Sequence, residues 1–178
     1  MQSYDALPPM SPSSRQIDPI PDERPLATLK IGGELPLPAL SALLRACDRA
    51  AASLVRDGSV PDEIDIVEIA SQKKSLVLHS RKVTGGGDLT TLERFCQKND
   101  LTYRRVTRGG AFADTTESFW RPGMVLPHKF QVNARTGDLL YPMTFLLALR
   151  NQKVNLNEWV LSFQDNFPTQ IPPLDLVS

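Results

Sequence analysis

The apolar positions of this chain switch between two periods, and the switches lay out its elements. Residues 26–31 alternate, with Leu26, Thr28 and Lys30 against Ala27, Leu29 and Ile31, which predicts a strand closed by Gly32-Gly33. From Pro38 to Arg56 the spacing becomes three and four: Leu40, Leu43, Leu44, Cys47, Ala51, Leu54 and Val55 fall on one helical face. Pro38 suits the first turn of that helix, and Asp57-Gly58 supplies a left-handed stop. Over residues 64–69 the β-branched content favours a strand, with Ile64 and Ile66 against Asp65, Val67 and Ile69. Gln72-Lys73-Lys74 then turns the chain into a hairpin partner over residues 75–83, where Leu76, Leu78, Ser80 and Lys82 alternate with Val77, His79, Arg81 and Val83.

The stretch 83–106 is the most regular part of the chain. Gly85-Gly86-Gly87 gives a flexible turn, and Thr90 with Glu93 has the spacing of a capping box for a helix over residues 90–99. Leu92, Phe95 and Cys96 form its inward side. A strand over 102–107 follows, with Tyr103, Arg105 and Thr107 on one side and Arg104, Val106 and Arg108 on the other. The earlier stretch from Leu29 through Gly32-Gly33 to residue 69 has the same plan, which suggests a two-fold β-turn-helix-β pseudo-repeat.

Beyond it, residues 111–124 read as an irregular loop holding Phe112, Phe119, Trp120 and Arg121. The Arg121-Pro122-Gly123 step is a turn, with proline in its second position and glycine where positive φ costs little. Residues 129–134 alternate as a strand, Arg135-Thr136-Gly137-Asp138 is a hairpin loop, and Leu139-Leu140-Tyr141 is the return. A third helix covers Met143 to Arg150, and Asn155 with Glu158 caps a fourth, whose stripe is Leu156, Trp159, Val160 and Phe163. Residues 1–25 hold six prolines, which remove backbone donors, so they form an extended arm. The expected organisation is therefore an arm over 1–25, one α+β domain over 26–167 and an extended tail over 168–178. The domain has a mixed or antiparallel sheet with helices mainly on one face.

Composition narrows the function more than it defines it. The chain has 178 residues, enough for one domain with a real core, and 20 basic side chains balance 20 acidic ones. That balance argues against an architectural nucleic-acid binder. The charge is polarised, however: net −5 over residues 1–72, +6 over 73–108 and −1 over 109–178. Such polarity favours homo-oligomer formation or a partner that meets two different faces. Two cysteines, Cys47 and Cys96, sit on apolar helical faces and read as buried thiols. The start of the chain has no basic region followed by an apolar run, and no apolar run reaches membrane-spanning length, so the expectation is a cytoplasmic protein without a membrane partner.

Candidate chemistry is sparse. The triple glycine is followed by Asp88 rather than Gly-Lys-Ser/Thr, so it is neither a phosphate loop nor a dinucleotide fingerprint, and no cofactor is expected. His79 and His128 are the only histidines and have no ligand spacing, so no metal is expected. Cys96 lacks a neighbouring base in sequence, although a small hydrolase-like enzyme remains one alternative if His79, His128 or Cys96 share a pocket. A second alternative is nucleic-acid binding through Lys73, Lys74, Arg81, Lys82, Arg104, Arg105 and Arg108, with Tyr103 as a stacking ring, against a plain reading as an exposed, charge-protected sheet edge. The favoured expectation is a non-enzymatic protein-interaction module, an adaptor or inhibitor acting on a cytoplasmic macromolecule. Its anchors would be Phe112, Phe119, Trp120 and Arg121, since Trp and Arg are common interface anchors; Phe119 and Trp120 fit a core plug equally well.

Overall fold

The computed structural model describes residues 27–55, 58–80, 87–108, 115–133, 136, 139–141, 143–155, 157–158 and 170–178. The proline-rich arm, the Gly85-Gly86 pair, Phe112 and most of the expected fourth helix lie outside them. The elements are β1 (Ala27–Pro36), a single 3-10 turn (Leu37–Ala39), α1 (Leu40–Ala50), α2 (Glu63–Ser71), β2 (Leu76–Ser80), α3 (Gly87–Lys98), β3 (Thr102–Thr107), β4 (Thr115–Trp120), β5 (His128–Val132), β6 (Leu139–Leu140), α4 (Met143–Asn151) and β7 (Leu174–Val177). They form a single α+β domain around a mixed sheet ordered β2-β1-β3-β4-β5-β6, in which each neighbouring pair is antiparallel. β7 joins as the one parallel partner, beside the second half of β1. Among the described residues no helix is long and apolar enough to cross a membrane.

β1 organises the sheet because it is long enough to serve two sets of neighbours. Residues 27–31 pair with β2 on one side and β3 on the other, while residues 33–36 pair with β7. Leu29 and Ile31 on its inner face are fully buried, together with Leu76 and Leu78 of β2 and Tyr103 of β3. α1 and α3 cover that face and contribute Leu43, Cys47, Leu92 and Cys96 to the same core. Burying each such aliphatic side chain stabilises the fold by about 1.5–3 kcal/mol, before the entropy of ordering it.

Several local expectations need correction, and each has a physical cause. Residues 64–69 are helix, not strand, so β2 has no hairpin partner there and pairs with β1 instead. Asp62 decides it: its carboxylate accepts from the Asp65 backbone N–H while the Asp65 carboxylate accepts from the Asp62 N–H, a reciprocal cap. α1 ends early, at Ala51 with φ +46°, because the chain leaves it to pair Ser53 with His79 on the edge of β2. Gly58 is therefore not its cap. Thr90 lies inside α3, which begins three residues before it, so the Thr90–Glu93 capping box does not form. Residues 115–120 are a strand rather than part of a loop.

Gly32-Gly33 do not turn the chain; they sit within β1. A Cβ on Gly32 would lie 1.8 Å from the carbonyl oxygen of Pro172, and Gly33 holds φ +115°, a region L side chains rarely adopt. The glycines let the C-terminal segment lie against β1. Gly33 N–H donates to the Pro173 carbonyl at 2.9 Å, and Leu174 N–H donates to the Lys74 carbonyl at 2.9 Å. Leu174 is fully buried as a result. With a helix at 63–71 and no turn at 32–33, the first half of the chain does not repeat the turn-helix-strand plan of the second.

Other expectations hold. β2 keeps its alternation, β3 covers the expected span, α4 spans the expected third helix, and β5 and β6 pair as a hairpin. Arg121-Pro122-Gly123 turns as the residues demand: Met124 N–H donates to the Arg121 carbonyl at 3.1 Å, and Gly123 has φ +89°. Asn155 Oδ1 accepts from Asn157 and Glu158 N–H groups, a cap for the helical residues 157–158.

Candidate functional site

The described aromatic candidates, Tyr103, Phe119 and Trp120, lie in the interior. Trp120, at the end of β4, is 6 % exposed and stacks on Tyr103 of β3, with centroids 6.3 Å apart and planes 18° from parallel. Its indole N–H donates to the Met124 carbonyl at 3.0 Å, which ties the β4–β5 connection to the core. Phe119, one residue earlier, points through the opposite face of β4 and is fully buried. The Tyr103 ring is enclosed and its hydroxyl accepts from Gln97 Nε2 at 3.1 Å; burial, and next the Glu93 carboxylate, push its pKa up to about 12. A ring so covered offers no face to a nucleic-acid base.

The basic candidates are divided rather than gathered, because β1 separates β2 from β3. Arg104 and Arg105 project from opposite faces of β3, and each meets a carboxylate. Arg104 makes a two-pronged ion pair with Glu117 of β4, with Nη2 donating to Oε2 at 3.0 Å. Arg105 Nη1 donates to Glu93 Oε2 of α3 at 3.2 Å, with its side chain 13 % exposed. Lys73 pairs with Asp175 of β7, and Lys74 donates to Gln72 Oε1 at 2.7 Å. Arg108 is half-buried just past the end of β3. Arg81 and Lys82 lie outside the described residues.

Around Glu93 the sheet and α3 enclose a polar cluster that sequence spacing did not reveal. The register sets Arg105, Ser118 and Lys129 in a row across β3, β4 and β5. Burial pushes the Glu93 carboxyl above its ordinary pKa, against the opposing pull of Arg105, the Ser118 hydroxyl and Lys129. The contribution to stability is fully present below the ordinary carboxyl pKa, and it is lost as pH rises through the raised one. The Arg105 contact joins α3 to β3 but offsets only part of the cost of burying the Glu93 charge.

The nucleophile candidates are held inert. Burial pushes the Cys47 thiol up to about 12 and the Cys96 thiol well above its ordinary value, so both stay protonated at neutral pH. His79 pairs with Thr28 on the sheet face opposite Leu29 and Leu78, its Nδ1 3.3 Å from Thr28 Oγ1. The sheet thus stands between His79 and Cys96. Burial lowers the His79 pKa. Among the described residues no group of three His, Cys, Asp or Glu side chains could hold a metal ion.

Large apolar side chains are exposed at several places, among them Leu37, Val55, Met143 and Leu147, and two groups stand beside the candidate residues. Directly after the Arg121-Pro122-Gly123 turn, Val125 is 95 % exposed and Leu126 is 71 % exposed. Exposed Lys129 and half-buried Arg121 flank this tip. The second place is the outer side of α2, where Ile64 is 75 % and Val67 44 % exposed, at helical spacing. An open cleft of about 510 Å³ runs beside it, lined by Val67, Ala70, Lys73, Asp175 and Leu176 among others. In the sequence the aromatic residues of this stretch outweigh Val125 and Leu126; the signal for the pair is two adjacent aliphatic residues in the connection between β4 and β5. Comparison with family models, curated proteins and solved structures returns no match to this chain.

Proposed function

We propose that this chain is a non-enzymatic protein-interaction module, an adaptor or inhibitor of a cytoplasmic macromolecular partner, and that it makes contact through the tip of the β4–β5 hairpin. The carrying observation is the exposed Val125-Leu126 pair. Two large aliphatic side chains at a hairpin tip cost solubility, and a partner that covers them recovers about 1.5–3 kcal/mol for each. The tip is also well supported from below. The turn fixes one end, and the Trp120–Met124 hydrogen bond fixes its root to a packed ring stack. A contact surface held in place loses little entropy on binding. The anchor role expected of Phe119 and Trp120 thus passes to the pair beyond Met124, which Trp120 holds in position, with Arg121 at the start of the turn.

The test is a paired capture from source-cell lysate, with nuclease, at a concentration where the chain is monomeric. The wild-type chain and a Met143→Ser control, altered at an exposed site on α4, are expected to retain the same stoichiometric protein. The Val125→Ser/Leu126→Ser double variant, with an unchanged circular dichroism spectrum, is expected to lose it. A partner held equally by the double variant would overturn the assignment of the tip. Recovery of nucleic acid alone, released by salt, would replace the reading with the nucleic-acid one.

A further inference from the structure

β7 pairs with β1 on one side and leaves its other side open. Along a strand, the N–H and C=O groups of successive residues point alternately to the two sides. The Gly33 N–H donates to the Pro173 carbonyl, and the register sets Gly33 beside Leu174 and Leu35 beside Leu176. Residues 173, 175 and 177 therefore point their backbone groups toward β1. Leu174 and Leu176 point theirs away, as the bond from the Leu174 N–H to the Lys74 carbonyl shows. Past that bond, nothing among the described residues pairs with the Leu176 N–H and C=O. On the edge of β2, by contrast, Ser53 exchanges both backbone hydrogen bonds with His79, at 3.0 and 2.8 Å.

The open edge of β7 borders the cleft of about 510 Å³ beside α2. Asp175, Leu176 and Val177 form one wall, and Val67, Ala70 and Ser71 of α2 form the other. A free main-chain donor and acceptor beside an apolar wall is a place for one more strand. Charge adds a constraint. Glu34 lies opposite Asp175 in the register and lines the same cleft. Lys73 pairs with Asp175, and no cation among the described residues pairs with Glu34. The Lys73 side chain is 71 % exposed, so its pair is weak and leaves the cleft open.

We infer that an extended segment of a partner protein adds to β7 in this cleft, with apolar residues toward Val67 and Leu176 and a lysine or arginine toward Glu34. This surface is separate from the β4–β5 tip and does not rest on it. The backbone groups select an extended main chain over a helix, whose own N–H and C=O groups are already paired. Size selects a segment over a second copy. β7 has four residues and spans roughly 13 Å, so two copies joined there bury far less than the roughly 800 Å² per partner of a stable interface. Pairing about a two-fold axis would also set both α2 helices on one face of the joined sheet, crowded over a single cleft.

The test uses the purified full chain and a capped hexapeptide of alternating valine and lysine, with a valine–glutamate peptide as its counterpart. Amide hydrogen exchange is read residue by residue. In the free chain, Leu176 is expected to exchange fast between slower Asp175 and Val177. Saturating valine–lysine peptide is expected to slow Leu176 by about tenfold or more, and the same peptide N-methylated at every amide to leave it fast. Leu176→Pro removes the outward donor and keeps the amides that face β1, and Ser71→Trp fills the cleft. Each is expected to weaken the peptide by about tenfold in a calorimetric titration. Glu34→Lys is expected to turn the preference from the lysine peptide to the glutamate one. Val125→Ser/Leu126→Ser is expected to bind the peptide as the wild-type chain does, so either proposal can fail while the other stands. A Leu176 amide already slow in dilute chain, one slowed by protein concentration alone as a second copy would slow it, or one that the lysine peptide leaves fast would overturn the inference. So would binding that survives N-methylation or Ser71→Trp, and an unchanged preference in Glu34→Lys would overturn the basic character of the segment.

Discussion

α1 and α2 are built from similar material and put it to different use. α1 turns Leu40, Leu43, Ala46, Cys47 and Ala50 inward and leaves its charged side chains outside. α2 buries Ile66 and Ala70 but carries Ile64 and Val67 on its outer side. The first is an ordinary amphipathic helix whose stripe specifies one core. The second is apolar on two sides, and its position is set by its ends: the Asp62–Asp65 cap at the start, and contact with β7 along its length. The apolar content of a helix therefore does not measure its share of the core. Among the described residues nothing covers the second apolar side of α2.

If that difference is real, the largest effect belongs to α1. Leu43 is fully buried between α1 and the sheet, so Leu43→Ala is expected to destabilise the fold by about 2–5 kcal/mol, measured by urea denaturation at unchanged slope. A loss below about 1 kcal/mol would mean that α1 is no better anchored than α2. A smaller effect, with a more local signature, is expected at Gly32. A side chain there meets the Pro172 carbonyl, so Gly32→Ala must shift the segment leading into β7, at about 1–3 kcal/mol. β7 packs more on α2 than on α1, so hydrogen exchange is expected to quicken more over residues 63–71 and 174–177 than over 40–50. Uniform quickening would show that both helices share one support.

The same contrast explains what the sequence could disclose. Period alone was enough for the body of α1 and for β2, because each has one clean buried side. It failed at Ile64-Asp65-Ile66-Val67-Glu68-Ile69, where apolar residues on two sides of a helix also fit a strand; the Asp62–Asp65 spacing was the better guide. β4 was hidden for another reason. Its residues Thr115, Glu117 and Ser118 are polar yet buried, Glu117 by its ion pair with Arg104 and Ser118 beneath Glu93. Those partners come from strands and helices distant in sequence, and only the register brings them together. Gly32-Gly33 read as a turn because the approach of residues 172–174 is equally remote. The candidate site was legible as a neighbourhood, the residues around the Arg-Pro-Gly turn. Within it, a tryptophan gives no sign from sequence alone whether it faces a partner or the core.

The smallest expected effect is the most discriminating. Ile64 and Leu43 are both large aliphatic residues in helices, so hydropathy treats them alike. At 75 % exposure, Ile64 has little burial to lose, and Ile64→Ser is expected to change folding stability by no more than about 0.5 kcal/mol. Serine has nearly the same helix propensity as isoleucine, so the helix itself supplies no hidden compensation. The measurement belongs at a dilution where copies do not meet, because any contact that covers the α2 stripe would add to apparent stability by mass action. Repeated at high concentration, the same substitution separates the two kinds of apolar residue. A difference that stays small in dilute protein and grows with concentration assigns Ile64 to contact between molecules. A loss of 2 kcal/mol or more already in dilute protein would place Ile64 in the core, leaving α2 no different from α1.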